Sequence, residues 1–262
     1  MVNNKQKMNA NYIIQTLYTQ GLHYFDIILF SHIFGISHSR ASQIFKNLEK
    51  KNLITEVERG KYLLLGFESH RVLSQPFFIA TKIVVPSYVS YWSALNFYGF
   101  TEQVPQVIFI ANTKRKGELI FQGTRYKYVK IASRKFWGYK EIRLSGFSYL
   151  IANEEKVFID SLDEPSYAGG IEEIFKCIAQ AKDKIDFERL FDYAKKFRNK
   201  SLNSRLGYLL EKIDIDTSQL KTYCSKSYVK VDSVRPWSKI WTTKWKVNEN
   251  ISDKELFHWQ GT

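Results

Sequence analysis

At 262 residues the chain exceeds one typical domain, and its 44% hydrophobic and 25% charged content suits globular folding and excludes a largely disordered protein. Lys and Arg number 39 against 26 Asp and Glu, a formal charge of +13, so a polyanion is the expected partner, with nucleic acid ahead of an anionic membrane surface. No apolar run approaches the ~20 residues of a spanning helix, and the polar start MVNNKQKMNANY lacks a cleavable apolar region, so a cytoplasmic protein is expected.

Tyr12, Ile13, Ile14, Leu17 and Tyr18 recur at helical spacing, and Gly21 stands where such a helix stops. Asp26 is suited to cap a second short helix carrying Ile27, Leu29, Phe30, Ile33 and Phe34, which ends at Gly35. Ser37 then caps a third helix over about 38–51, so a tight Gly-Ile-Ser turn joins the two. On this third helix Ala41, Ile44, Phe45 and Leu48 form one buried stripe. Ser39, Gln43, Lys46 and Lys50 project from the opposite face, flanked by His38, Arg40, Ser42 and Asn47. Amides and hydroxyls read base edges and cations hold phosphates, which makes these residues candidate DNA contacts. The following ITEVERGKYLLLG predicts a β-hairpin with Arg59-Gly60-Lys61 at its turn, placing Arg59 and Lys61 where a neighbouring backbone or minor groove is within reach. Three helices and a hairpin in this order predict a winged helix-turn-helix over residues 1–70.

Residues 68–86 read as a linker containing one strand, FFIATKIVV, and Pro86-Ser87 as the opening of a helix with Tyr88, Trp92, Leu95 and Tyr98 on one face, ended by Gly99. QVIFIAN, ELIFQG, TRYKYVKIAS and a segment around KEIRLSG read as strands. Residues 110–143 hold ten cations against Glu118 and Glu141, with aromatic residues interleaved. Lys114, Arg115, Lys116, Arg125 and Lys127 are therefore candidates for an accessory nucleic-acid contact, although Arg125-Tyr126-Lys127-Tyr128 alternates equally well as a sheet with rings inward and charges in water. Helices are expected after Asn153, within IEEIFKCIAQA, from Asp186, and over about 202–212, followed by strands and irregular chain around Trp237, Trp241, Trp245 and Trp259. The whole is an α+β protein: a winged helix followed by an antiparallel sheet with helices over residues 71–262.

Nothing here requires catalysis. Glu154 and Lys156 have a Glu-x-Lys spacing used by some metal-dependent nucleases, with Asp160 and Asp163 nearby, but at a helix start they read as capping and surface charge. Cys177 and Cys224 lie far apart and the five histidines are scattered, so neither a disulfide framework nor a metal site is expected, and no cofactor.

SYWSALNFYGFTEQVP at 90–105, ANEEKVFIDSL at 152–162, SRLGYLLE at 204–211 and WKVNEN at 245–250 together carry a resemblance. In their order, behind the N-terminal helices, they resemble the AbiEi-like antitoxins and transcriptional regulators of type IV (AbiE) toxin-antitoxin systems. That resemblance implies a repressor of its own operon, acting on double-stranded DNA, whose C-terminal domain counteracts a nucleotidyltransferase-like toxin. Relatives often carry a small residue at the position of Val157, which reads as altered packing. By its own residues SRLGYLLE is a helix with Leu206, Leu209 and Leu210 inward, while Arg205 and Glu211 are candidates either for structural ion pairs or for an antitoxin or self-association surface. A solitary regulator without a toxin, and a nuclease guided by the winged helix, are the alternatives; a homodimer on DNA is a further expectation.

Overall fold

The structure, a computed structural model, describes residues 8–260. It is a mixed α+β protein that divides by contacts into two units, one running to Val85 and including Ile120–Gly123, the other formed by Pro86–Leu119 and the chain from Thr124. No helix among the described residues is long and apolar enough to cross a membrane.

In the first unit the Asn9 side chain accepts the Tyr12 N–H and opens α1 (Ala10–Thr19), which buries Ile13, Ile14 and Leu17. Strand β1 (Tyr24–Asp26) was not foreseen, and it leads directly into α2 (Ile27–Phe34) because Asp26 also caps that helix at the Leu29 N–H. After α3 (His38–Lys50) come β2 (Ile54–Glu58) and β3 (Lys61–Leu64), and the three strands form an antiparallel sheet in the order β1-β3-β2. Phe25 and Leu64 from the sheet join Leu17, Phe30, Ala41, Phe45 and Leu48 from the helices in one core.

The expected linker is helical: α4 (Ser69–Leu73) and α5 (Pro76–Ile83) replace the strand read from FFIATKIVV. A mostly apolar run, interrupted here only by Thr81 and Lys82, has too weak a period to separate buried helix from buried strand. Pro76 at the first helical turn, where its missing N–H costs nothing, favours the helix. The Phe78 ring meets the His23 ring edge-on at 5.0 Å, so contacts carry the first unit to Val85, beyond the boundary expected at residue 70.

The second unit opens with β4 (Ser87–Val89), so Pro86-Ser87 leads into a strand and the expected helix is shortened to α6 (Tyr91–Phe97). The fixed φ of proline suits a strand entry as well as a helix entry. Along the chain next come β5 (Val107–Asn112), β6 (Leu119–Phe121, whose last two residues are counted with the first unit), β7 (Thr124–Lys130), β8 (Tyr139–Leu144) and β9 (Phe147–Ala152), for which the sequence carries no clear signal. They form a six-stranded sheet in the order β6-β7-β5-β4-β9-β8. The sheet is mixed, not purely antiparallel as expected, because β5 pairs with β7 and β4 with β9 in parallel. β4 is buried along its whole length in the middle of this sheet.

The remaining elements are α7 (Glu154–Asp163), α8 (Gly170–Gln180), α9 (Phe187–Phe197), α10 (Lys200–Glu211), β10 (Val229–Lys230), β11 (Trp241–Thr242), β12 (Val247–Asn248) and α11 (Asp253–Leu256). Asn153, Asp186 and Asn199 cap α7, α9 and α10 with their side chains. α7 is buried continuously from Glu155 to Leu162, so its charged residues need partners within the protein. Gly207 in α10 lies against Trp245, whose fully buried ring occupies the space a Cβ would need. Trp245 also donates its indole N–H to Glu211 at 2.5 Å.

Candidate nucleic-acid interface

The turn between α2 and α3 is closed locally. Gly35 adopts the left-handed conformation at φ 60°, its N–H and that of Ile36 returning to the carbonyls of His32 and Ser31, a geometry that burdens any residue with a Cβ. Two residues later the Ser37 hydroxyl accepts the Arg40 N–H and starts α3. Phe45 then sets how α3 is rotated: its ring packs against Phe30 at 4.8 Å, Tyr62 at 4.6 Å and Phe25 at 5.8 Å. With Ala41, Ile44 and Leu48 also buried, the opposite face is turned outward.

His38, Ser39, Arg40, Gln43, Lys46, Asn47 and Lys50 are exposed on that face, and Ser42 is half-buried at its edge. An Arg40 guanidinium N–H donates to the Gln43 Oε1 at 3.2 Å, which holds the two side chains together one turn apart. At the hairpin Glu56 accepts the Gly60 N–H at 2.6 Å and steadies the tip. Arg59 is exposed there, while the Lys61 ammonium lies 3.9 Å from Glu58, which also accepts the Tyr24 hydroxyl at 2.7 Å. Glu58 thus offsets part of the Lys61 charge, and Arg59 is the less compensated cation of the tip.

The basic stretch of the larger sheet is arranged differently. Tyr126 and Tyr128 are buried, with burial pushing the Tyr126 hydroxyl up to about 12, while Arg125 and Lys127 point the other way and share Glu118 at 3.3 and 3.7 Å. Lys114 and Arg115 are exposed and Lys116 is half-buried. The alternation therefore sends rings inward and charges outward, and neither Tyr126 nor Tyr128 is exposed for base stacking.

The four residues with nuclease-like spacing do not converge: Glu154 and Asp163 each pair with a different lysine, and Lys156 and Asp160 pair with each other. Glu154 pairs with Lys140 at 2.5 Å, and Asp163 with Lys135 at 2.5 Å and Asn199 at 3.0 Å. Lys156 and Asp160 are not surface charges as expected: both are fully buried and bonded to each other. Asp160 also accepts the hydroxyls of Tyr88 at 3.0 Å and Ser90 at 2.8 Å, and Lys156 donates to Tyr88 at 2.9 Å. Burial pulls the Lys156 ammonium below the ordinary lysine range, with Asp160 acting in the opposite direction. No cluster of three or more His, Cys, Asp or Glu fit to hold a metal ion occurs among the described residues.

Arg205 and Glu211 do not pair with each other. Arg205 is half-buried and donates through Nε to the Lys230 carbonyl at 2.9 Å, while Glu211 takes the Trp245 indole and the Lys244 ammonium. Both brace the packing of α10 against the C-terminal strands. The sequence reading also missed the exposure of Trp237 and Trp241; large aromatic residues are ordinarily buried, and nothing local distinguishes these two from Trp245.

No protein-family model matches the chain, and no curated protein matches it in sequence. Its fold has a solved counterpart. The crystal structure of the RV2827C protein from Mycobacterium tuberculosis is similar with a TM-score of 0.56, over 97% of this chain and 94% of that one, at 12% identity. At that identity the likeness is one of fold alone.

Proposed function

We propose that the first unit is a winged helix-turn-helix that binds double-stranded DNA, with α3 as the recognition helix in the major groove and the β2–β3 hairpin as the wing. One observation carries this reading: the solvent-facing side of α3 collects hydroxyl, amide and cationic side chains opposite an entirely apolar buried stripe. The overall charge of +13 favours the same partner. On the resemblance of its motifs to AbiEi-like proteins, the chain is further proposed to repress its own operon as a type IV antitoxin against a nucleotidyltransferase-like toxin, without an enzymatic activity of its own.

The test is a mobility-shift titration on the DNA upstream of the gene, beside random duplex of equal length. Gln43→Ala lowers the preference for the upstream DNA by about 5- to 100-fold, the range for one base contact. Lys61→Ala weakens binding to both duplexes alike and lowers the salt slope by about one unit. If both variants bind like the wild type, the assigned surface is wrong.

A further inference from the structure

The C-terminal strands carry a second surface, in the second unit and independent of α3. Trp237 and Trp241 are 54% and 47% exposed, and their rings stack at 5.4 Å with 22° between planes. Tyr228 meets Trp241 edge-on at 5.0 Å, extending the array to three rings. Val234 and Ile240 beside them are 83% and 61% exposed. Such apolar exposure on one short stretch is uncommon on a surface without a partner.

The supporting loop is held in place. Asn248, fully buried, donates to the carbonyls of Ser238 and Ile240 at 3.0 Å each and accepts the Ser238 N–H at 2.8 Å. Asn250 donates to the Asp232 carbonyl at 2.7 Å, and Arg205 secures the Lys230 carbonyl. The rings are therefore presented on a braced loop, so little ordering is needed on binding.

Charge identifies the occupant. Residues 226–246 hold six cations and one acid, Asp232, which pairs with Arg235. Lys226, Lys230, Lys239 and Lys246 have no carboxylate partner among the described residues. Two of them flank the array, Lys230 at 5.8 Å from the Trp237 ring and Lys246 at 5.1 Å from the Tyr228 ring. A second copy docking through a twofold contact would bring two positively charged patches together. A phosphodiester strand with unstacked bases instead matches both features, offering flat faces to the rings and phosphates to the lysines.

We infer that the Tyr228–Trp237–Trp241 ledge binds single-stranded nucleic acid by base stacking, with Lys239 and Lys246 on the phosphates. This goes beyond duplex binding by α3 and does not depend on it.

The full-length protein is titrated into fluorescein-labelled 12-nucleotide oligo(dT) and oligo(U), and into a 12-base-pair duplex, with anisotropy as the readout. Trp237→Ala and Trp241→Ala each weaken single-strand binding by about 5- to 100-fold, leave duplex binding unchanged, and are largely rescued by Trp237→Phe and Trp241→Phe. Lys239→Ala lowers the single-strand salt slope by about 0.7. Preference of one oligomer over the other assigns the ledge to DNA or RNA, and binding of either supports the inference. Absence of single-strand binding, or binding that survives both alanine substitutions, overturns it. So does a wild-type dimer that sedimentation shows dissociating in the alanine variants while oligomer affinity is unaltered, because the ledge is then a self-association surface.

Discussion

Replacing Asp160 by asparagine keeps the shape of a buried side chain and removes its charge, which isolates the ionic part of the α7 network. In the wild type the Lys156 ammonium and the Asp160 carboxylate are both out of contact with solvent, and the carboxylate also receives hydroxyls from Tyr88 and Ser90. Asparagine still accepts one or two of those bonds, but Lys156 is left as an uncompensated buried cation beside the Tyr88, Trp137 and Phe197 rings, 5.0 to 5.5 Å away. Removing one partner of such a pair costs about 3–5 kcal/mol, against about 5–15 kcal/mol for the stability of a whole domain. Replacing Lys156 by methionine as well withdraws the stranded charge, so Lys156→Met/Asp160→Asn is expected to recover at least half of the loss. Urea unfolding followed by tryptophan fluorescence measures both, provided the denaturant slope stays constant. A loss below about 1 kcal/mol for Asp160→Asn would refute the reasoning, since it would mean that water reaches the pair and screens it.

Gly207→Ala is expected to destabilise the second unit by about 1–2 kcal/mol, as overpacking against the immobile Trp245 ring outweighs the roughly 1 kcal/mol gained in helix propensity; a raised thermal midpoint would contradict this. His23 is held neutral by burial, with Lys82 adding to the effect, and titrates at about 4 in the folded protein against 6.5 in an unfolded chain. The unfolded state therefore binds more protons between those values, so stability is complete above about pH 6.5 and declines as pH falls toward 4. The ring is partly open to solvent, which limits the decline to about 1–2 kcal/mol; His23→Phe should flatten the first unit's urea midpoint across that window.

The local features of this chain were legible without coordinates wherever short-range chemistry determines them. The capping residues Asn153, Asp186 and Ser37, the stop at Gly35, the stripe on α3 and the hairpin at Arg59-Gly60 all depend on neighbours a few residues away, and a period of 3.6 or 2 reports which side is buried. Where that period is blurred the strand expectation fails: FFIATKIVV is mostly apolar with only Thr81 and Lys82 to mark a face, and its packing behind Pro76 makes it helix α5. Sheet direction is equally out of reach, because the parallel pairing of β4 with β9 joins Val89 to Ile151, 62 residues further along the chain. Lys156 and Asp160 show the same division, since an i, i+4 pair of opposite charges looks identical in sequence whether it lies in water or under a sheet. Tyr88 and Ser90, from distant β4 and its flank, decide that it is buried and satisfied. Trp237, Trp241 and Trp245 stand within nine residues, yet one fills the space over Gly207 and two face solvent. Chain chemistry alone determines what each residue is able to bond; only the folded arrangement decides whether water, a buried partner or an outside ligand meets it, because that outcome rests on groups remote in the chain.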